Sequence, residues 1–167
     1  MQRHTRYTGL APTDRGASVA IGNFDGVHLG HQSVIGLAKA AAAQLKSPLG
    51  VVTFEPHPRS HFAPETPAFR LMSPEARQNR LAKLGVEMLY ELPFNAELAA
   101  LTPESFARDV IGKGLGLAHV VIGEDFRFGK ARAGTAEDLT RFGAEMGFGV
   151  TVAKLVAAQD AQVSSTA

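Results

Sequence analysis

The stretch ASVAIGNFDGVHLGH, residues 17–31, decides how the chain folds. Its first part, ASVAIG (17–22), is a short run with β-branched residues that ends in glycine, the mark of a buried strand. Its last part leads into a helix. From Gly30 onward Val34, Leu37, Ala38, Ala41 and Leu45 fall at helical spacing, and Ser47-Pro48 closes the pattern. Between strand and helix stand Gly22, Gly26 and Gly30, together with Asp25 and the two histidines His28 and His31. Strand, glycine-rich turn and helix in direct succession predict one unit of a parallel α/β sheet.

Working outward, the same alternation continues. LGVVTF (49–54) reads as the next strand, and a Pro- and His-rich loop over 55–67 is too irregular for either element. Ser73 as N-cap with Pro74 at the first helical position opens a helix. VEMLYEL (86–92) is a strand, Thr102-Pro103-Glu104-Ser105 repeats the cap signal, and LAHVVIG (117–123) is another strand. A Gly/Arg-rich loop over 123–134 precedes a helix over 135–146 and the strand GVTVAKL (149–155). The fold expected is an open, mostly parallel sheet with helices on both faces. Such sheets bind ligands at the carboxyl ends of their strands, near the point where strand order reverses. Both glycine-rich loops follow directly after strands and belong on that edge. Residues 1–16 read as an N-terminal extension and 17–167 as one domain, with no internal repeat.

Composition bounds the function. A chain of 167 residues supports one domain with a real core. Lys and Arg number 17 against 16 Asp and Glu, a formal net charge of +1, so no bulk field favours nucleic acid or an anionic membrane. Any anion must be held by a local site. With no cysteine, disulfides, thiolate metal ligands and a cysteine nucleophile are all excluded. The start MQRHTRYTGLAPTDRG lacks the apolar core of a signal peptide, and no run reaches membrane-spanning length. A cytoplasmic protein is expected.

The loop over 22–31 suits a phosphate. Its glycines let backbone approach a ligand, the following helix offers free N–H groups and the positive end of its dipole, and His28 and His31 can add ring donors. No Gly-Lys-Ser/Thr follows, so it is not a Walker A loop, and the glycine spacing is not a dinucleotide fingerprint. A plain glycine turn with incidental histidines stays open. A zinc site lacks an obvious third ligand, and no metal ligand is assigned. In the second loop, GEDFRFGKARAG (123–134), Lys130 and Arg132 could reach a phosphate or pyrophosphate, and glycines allow movement. Phe126 and Phe128 compete as anchors of the loop in the core. His4, His57, His61 and His119 read as incidental or structural.

His28-Leu29-Gly30-His31 resembles the His-x-Gly-His signature of the nucleotidyltransferase superfamily. The longer GNFDGVHLGH (22–31) resembles, more narrowly, the adenylyltransferase module of bacterial bifunctional riboflavin kinase/FMN adenylyltransferases, also called FAD synthetases. TFEPHP (53–58), GEDFRFGKARAG (123–134) and VSST (163–166) agree in the same order. The resemblance implies a Rossmann-like nucleotidyltransferase fold and the synthesis of FAD from FMN and ATP, with Mg²⁺ and release of pyrophosphate. It implies catalytic roles for His28 and His31. The ATP side would comprise Gly22, Asn23, Phe24, Asp25, Gly30, Lys130, Arg132, Ser164, Ser165 and Thr166. FMN would meet Phe54, Phe62, Asp125, Phe126 and Arg127, with the end of a buried strand as the other reading of Phe54.

In the family the Ser-Ser-Thr stretch continues to an isoleucine, an arginine and a separate barrel that phosphorylates riboflavin. This chain stops at Ala167, so the expectation is a truncated chain without the linked kinase domain. Two rivals remain. One is another small nucleotidyltransferase, acting on nicotinamide mononucleotide or a pantetheine phosphate. The other is a non-catalytic flavin or nucleotide carrier.

Overall fold

The computed structural model describes residues 1–22, 29–55 and 74–154. Six strands form one sheet: β1 (Gln2–His4), β2 (Ser18–Ile21), β3 (Leu49–Glu55), β4 (Met88–Pro93), β5 (His119–Gly123) and β6 (Gly149–Ala153). Their order is β1-β4-β3-β2-β5-β6, and every pairing is parallel. The parallel α/β sheet expected from alternating elements is the fold observed, and the strand and helix limits differ from the sequence reading by about one or two residues. The helices are α1 (Leu29–Leu45), α2 (Pro74–Lys83), the one-turn α3 (Ala96–Ala99), α4 (Pro103–Ser105) and α5 (Ala136–Met146).

Why these strands are central follows from their composition. A parallel strand covered on both faces is mostly apolar, and all four residues of β2 are buried, the one polar side chain, Ser18, sharing a 2.7 Å hydrogen bond with Ser47. Successive side chains then feed two cores. Ala20, Val51, Leu89 and Val121 meet Val34, Ile35, Ala38 and Ala42 of α1 and Leu81 of α2. Val19, Val52, Tyr90, Leu92, Val120 and Ile122 point the other way, against residues 106–111 and against Leu139 and Phe142 of α5. Gly50 has a packing reason: a Cβ there would stand 2.9 Å from Val19 Cγ1 and 3.3 Å from the Tyr90 ring.

Three features depart from the sequence reading. Within residues 1–16, read from the sequence only as an N-terminal extension, Gln2–His4 adds an edge strand to β4. QRH has no apolar residue to betray it; it is held by partners distant in sequence, with Arg3 paired to Glu91 and His4 stacked on Tyr90 at 5.4 Å. Second, Asn95 caps the short α3 through a bond from Leu98 N–H, 2.9 Å. Third, the helix opened by Thr102 and Pro103 makes only one α turn, then continues as a π-helix, Phe106–Gly114. Its wider winding is visible where Leu115 N–H reaches the carbonyl of Val110, five residues back, over 2.8 Å. Ser73, expected to cap α2, lies outside the described residues.

α5 keeps the range read from the sequence to within a residue. Thr135 and Asp138 close a reciprocal capping box, with Thr135 N–H donating to Asp138 at 3.0 Å and Asp138 N–H to Thr135 Oγ1 at 3.2 Å. Thr135, through its backbone N–H first and then its side chain, holds the Asp138 carboxyl below its ordinary pKa. The helix ends on Gly147, left-handed at φ 90°.

Candidate functional site

The chain runs from β2 to β3 and β4 on one side, then returns to β5 and β6 on the other side of β2. Strand order therefore reverses between β2 and β5, and a crevice at the carboxyl ends of those two strands is where such sheets take ligands. Ser18 pairs with His119 and Ala20 with Val121, so the two strands end level with each other. The loops after β2 and after β5 leave from the same edge, as the sequence alternation predicts.

On the β2 side, Gly22 closes the strand, its N–H donating to the Val52 carbonyl over 3.0 Å. α1 begins at Leu29, with Gly30 and His31 in its first turn. No acidic residue stands in that turn, so nothing in it offsets the positive end of the 17-residue helix. Asn23, Phe24, Asp25 and His28 lie outside the described residues, as does the side chain of His31. Phe62, Ser164, Ser165 and Thr166 lie outside them as well.

On the β5 side, the loop over 123–134 is a shaped platform. Glu124 N–H donates to the Ala153 carbonyl at 3.0 Å, joining the loop's start to β6. Phe128 and Gly134 exchange two backbone bonds, 3.2 and 2.8 Å, that close the loop as a small antiparallel bridge. Gly134 lies flat on the Phe128 ring, where a Cβ would come within 2.7 Å. Lys130–Arg132 forms a tight 3-10 turn. The sequence reading takes these glycines as a source of movement; for Gly134 the structure supplies a close approach instead.

Beneath this platform is a train of aromatic rings. Phe126 stacks on Phe128 at 5.8 Å, Phe128 packs on Phe106 at 5.6 Å, and Phe106 packs on Phe54 at 6.3 Å. Phe94 meets Phe54 edge-on at 6.1 Å. Phe54 is 7% exposed and Phe128 5%, so both belong to the core, while Phe126 is only half-buried. Of the residues assigned to FMN, Phe54 therefore supports the platform from below. Phe128 is the anchor that one of the two loop phenylalanines was expected to be. Asp125, Arg127, Lys130 and Arg132 are all exposed.

Sequence reasoning missed Phe94, Phe106 and Leu101. No local motif marks them; each matters through a contact made across the fold. His119 starts β5, at the opposite edge of the sheet, where its Nε2 shares a 2.7 Å hydrogen bond with Thr151 Oγ1 and burial pushes its pKa down. It takes no part in the crevice. Among the described residues no helix is long and apolar enough to cross a membrane.

The family model described as FAD synthetase matches residues 10–167. A bifunctional riboflavin kinase/FMN adenylyltransferase from Pseudomonas fluorescens is 41% identical over 94% of this chain and 50% of its own length. A Listeria monocytogenes FAD synthetase is 33% identical over 96% of this chain and 65% of its own. A solved Streptococcus pneumoniae structure, described as a macrolide-efflux protein, superposes with a TM-score of 0.77 at 30% identity. It covers 92% of this chain and 50% of that one. The chain spans about half the length of the bifunctional relatives it matches.

Proposed function

We propose adenylyl transfer to FMN as the chemistry of this chain, which belongs to the FAD synthetase family. One phosphate oxygen of FMN attacks the α-phosphorus of ATP; the new P–O bond forms as the bond to the β-phosphate oxygen breaks, and FAD and pyrophosphate leave. The FMN phosphate is largely ionised near neutral pH, so no side chain need act as a base. Such a transfer needs position and charge stabilisation more than covalent help.

The observation that carries the reading is the pairing across the crevice: a long helix start without acidic residues on one side, a cationic loop on the other. In this reading the first N–H groups of α1 receive phosphate oxygens, with Gly22, Asn23, Phe24, Asp25 and Gly30 along the ATP side. His28 and His31 donate to oxygens whose charge grows in the transition state. Lys130 and Arg132 meet the polyphosphate, and Ser164, Ser165 and Thr166 complete the nucleotide side. Asp125, Phe126 and Arg127, with Phe62 and with Phe54 beneath, serve the flavin. Magnesium would enter with ATP and would offset charge on the polyphosphate. The partners are small molecules in the cytoplasm, and a linked kinase domain belongs to the longer relatives.

The test is a panel of acceptors. Pyrophosphate release from Mg-ATP is expected with FMN and not with nicotinamide mononucleotide or a pantetheine phosphate. Release with either of the latter and not with FMN would move the chain to another branch of the superfamily.

A further inference from the structure

The 3-10 turn that carries Lys130 and Arg132 is not free-standing. Lys130 N–H donates to the Leu101 carbonyl over 2.6 Å, a bond to a segment nearly thirty residues earlier. Beside it Gly129, at φ 80° and ψ 179°, lies against Pro103. A Cβ on Gly129 would stand 2.8 Å from Pro103 N and 2.9 Å from its Cα, which is backbone and cannot step aside cheaply. Two independent demands, a positive φ and the absence of a side chain, meet at one residue.

The segment beneath is itself fixed. Thr102 Oγ1 accepts from Ser105 N–H at 3.1 Å, and Phe106 N–H reaches the Thr102 carbonyl at 2.8 Å. The next residues enter the buried face of the π-helix through Phe106, the ring that also supports Phe128. The turn itself is held in an unusual shape: Ala131 and Arg132 both take left-handed backbone, φ 58° and 55°. Side-chain-bearing residues seldom adopt that region, and a pair of them persists only where surrounding contacts over-determine it. Here those contacts are Lys130 to Leu101, Arg132 N–H to the Gly129 carbonyl at 3.0 Å, and Ala133 N–H to the Lys130 carbonyl at 3.2 Å.

We propose that Gly129, seated on residues 101–103, is a positioning residue for the polyphosphate of ATP: it sets where Lys130 and Arg132 stand before the nucleotide arrives. This rests on the adenylyl-transfer reading for the identity of the ligand. A flexible loop would lose freedom on every binding event, whereas a turn already locked loses little. The function of the mount is that preorganisation.

The experiment uses the full chain with two variants and two readouts. Gly129→Ala strikes both demands at once. Ala131→Gly frees the turn while leaving stability nearly unchanged, since relief of the left-handed alanine offsets the added freedom of the unfolded chain. The first readout is trypsin cleavage after Lys130 and Arg132, titrated with Mg-ATP. Protection in the wild type is expected, with about tenfold more nucleotide needed in Gly129→Ala, equivalent to about 1.4 kcal/mol. A smaller shift in the same direction is expected in Ala131→Gly at unchanged melting temperature. The second readout is FAD formation, in which KM for Mg-ATP rises about tenfold in Gly129→Ala while KM for FMN stays. No protection in the wild type, equal protection in all three proteins, or equal loss of both substrates overturns the proposal. Absence of FAD from the wild type overturns the adenylyl-transfer reading instead, and the protection titration still judges the mount.

Discussion

The phenol of Tyr90, on the penultimate strand β4, donates a 2.7 Å hydrogen bond to the backbone carbonyl of Asp14. That bond fastens the N-terminal turn Pro12–Asp14 to β4. Burial, and then the nearby Asp14 carboxylate, push the Tyr90 pKa up to about 12. Tyr7, the other tyrosine, is shifted the same way by burial and by Glu97 and Asp109.

Tyr90→Phe leaves the Asp14 carbonyl without its donor, at a cost of about 1 kcal/mol. For a domain of this size that lowers Tm by about 2–4 °C. The pH dependence has a definite sign. The folded phenol keeps its proton where an unfolded tyrosine, with a pKa of about 10, has lost it. Its contribution is complete below that value and is lost as pH rises toward about 12. Ultraviolet titration of the folded protein checks this: a tyrosine that ionises normally near pH 10 would contradict the burial argument.

Arg3 and Glu91 are paired across the β1–β4 edge, with Arg3 about half exposed at 53% and Glu91 buried at 1%. Glu91 also accepts from Gln78 Nε2 of α2 at 3.3 Å. Losing the exposed partner leaves a buried carboxylate under-compensated, so Arg3→Met is expected to destabilise by about 1–2 kcal/mol. The double variant Arg3→Met/Glu91→Leu, which removes the buried charge too, should recover most of that loss. Urea unfolding of the two single variants and the double reads the coupling; strictly additive losses would show that the pair is not coupled.

His119 titrates below its ordinary value because burial disfavours the imidazolium. An unfolded histidine therefore takes up a proton before the folded one does. The stability this lends is complete above about pH 6.5 and is lost as pH falls through the lowered folded value. His119→Gln should flatten that acid limb. Following the ring protons of His119 by NMR gives the direct check, and a midpoint at or above 6.5 would refute it.

Lys130→Ala and Arg132→Ala are each expected to weaken Mg-ATP or pyrophosphate handling by about fivefold to tenfold while FMN affinity changes little, as for a lost charge-assisted contact. Flavin fluorescence quenching measures the FMN side. Equal loss there would remove these cations from the polyphosphate.

Much of this fold is legible in the chain because its signals are local. β2, β3 and β5 announce themselves by buried β-branched runs, and α1 by apolar residues at helical spacing closed by Ser47-Pro48. What is not legible depends on contact between distant residues. QRH becomes a strand only because Glu91 and Tyr90 stand beside it. Thr102 and Pro103 announce a helix start, but nothing local tells that the helix turns π or that Pro103 is a bed for Gly129. The crevice is similar: the two loops are readable as sequences, and their adjacency follows from strand alternation. The depth of Phe54 and the exposure of Asp125 and Arg127 needed the fold.

The central claim is tested most directly by mixing the protein with FMN, Mg-ATP and inorganic pyrophosphatase and separating the flavins. FAD is expected to form, with one pyrophosphate released per FAD. If His28 and His31 hold the roles proposed for them, His28→Ala and His31→Ala should each cut that rate by about two orders of magnitude at unchanged FMN affinity and Tm. FMN that binds but is never converted, with no pyrophosphate released, would contradict the account.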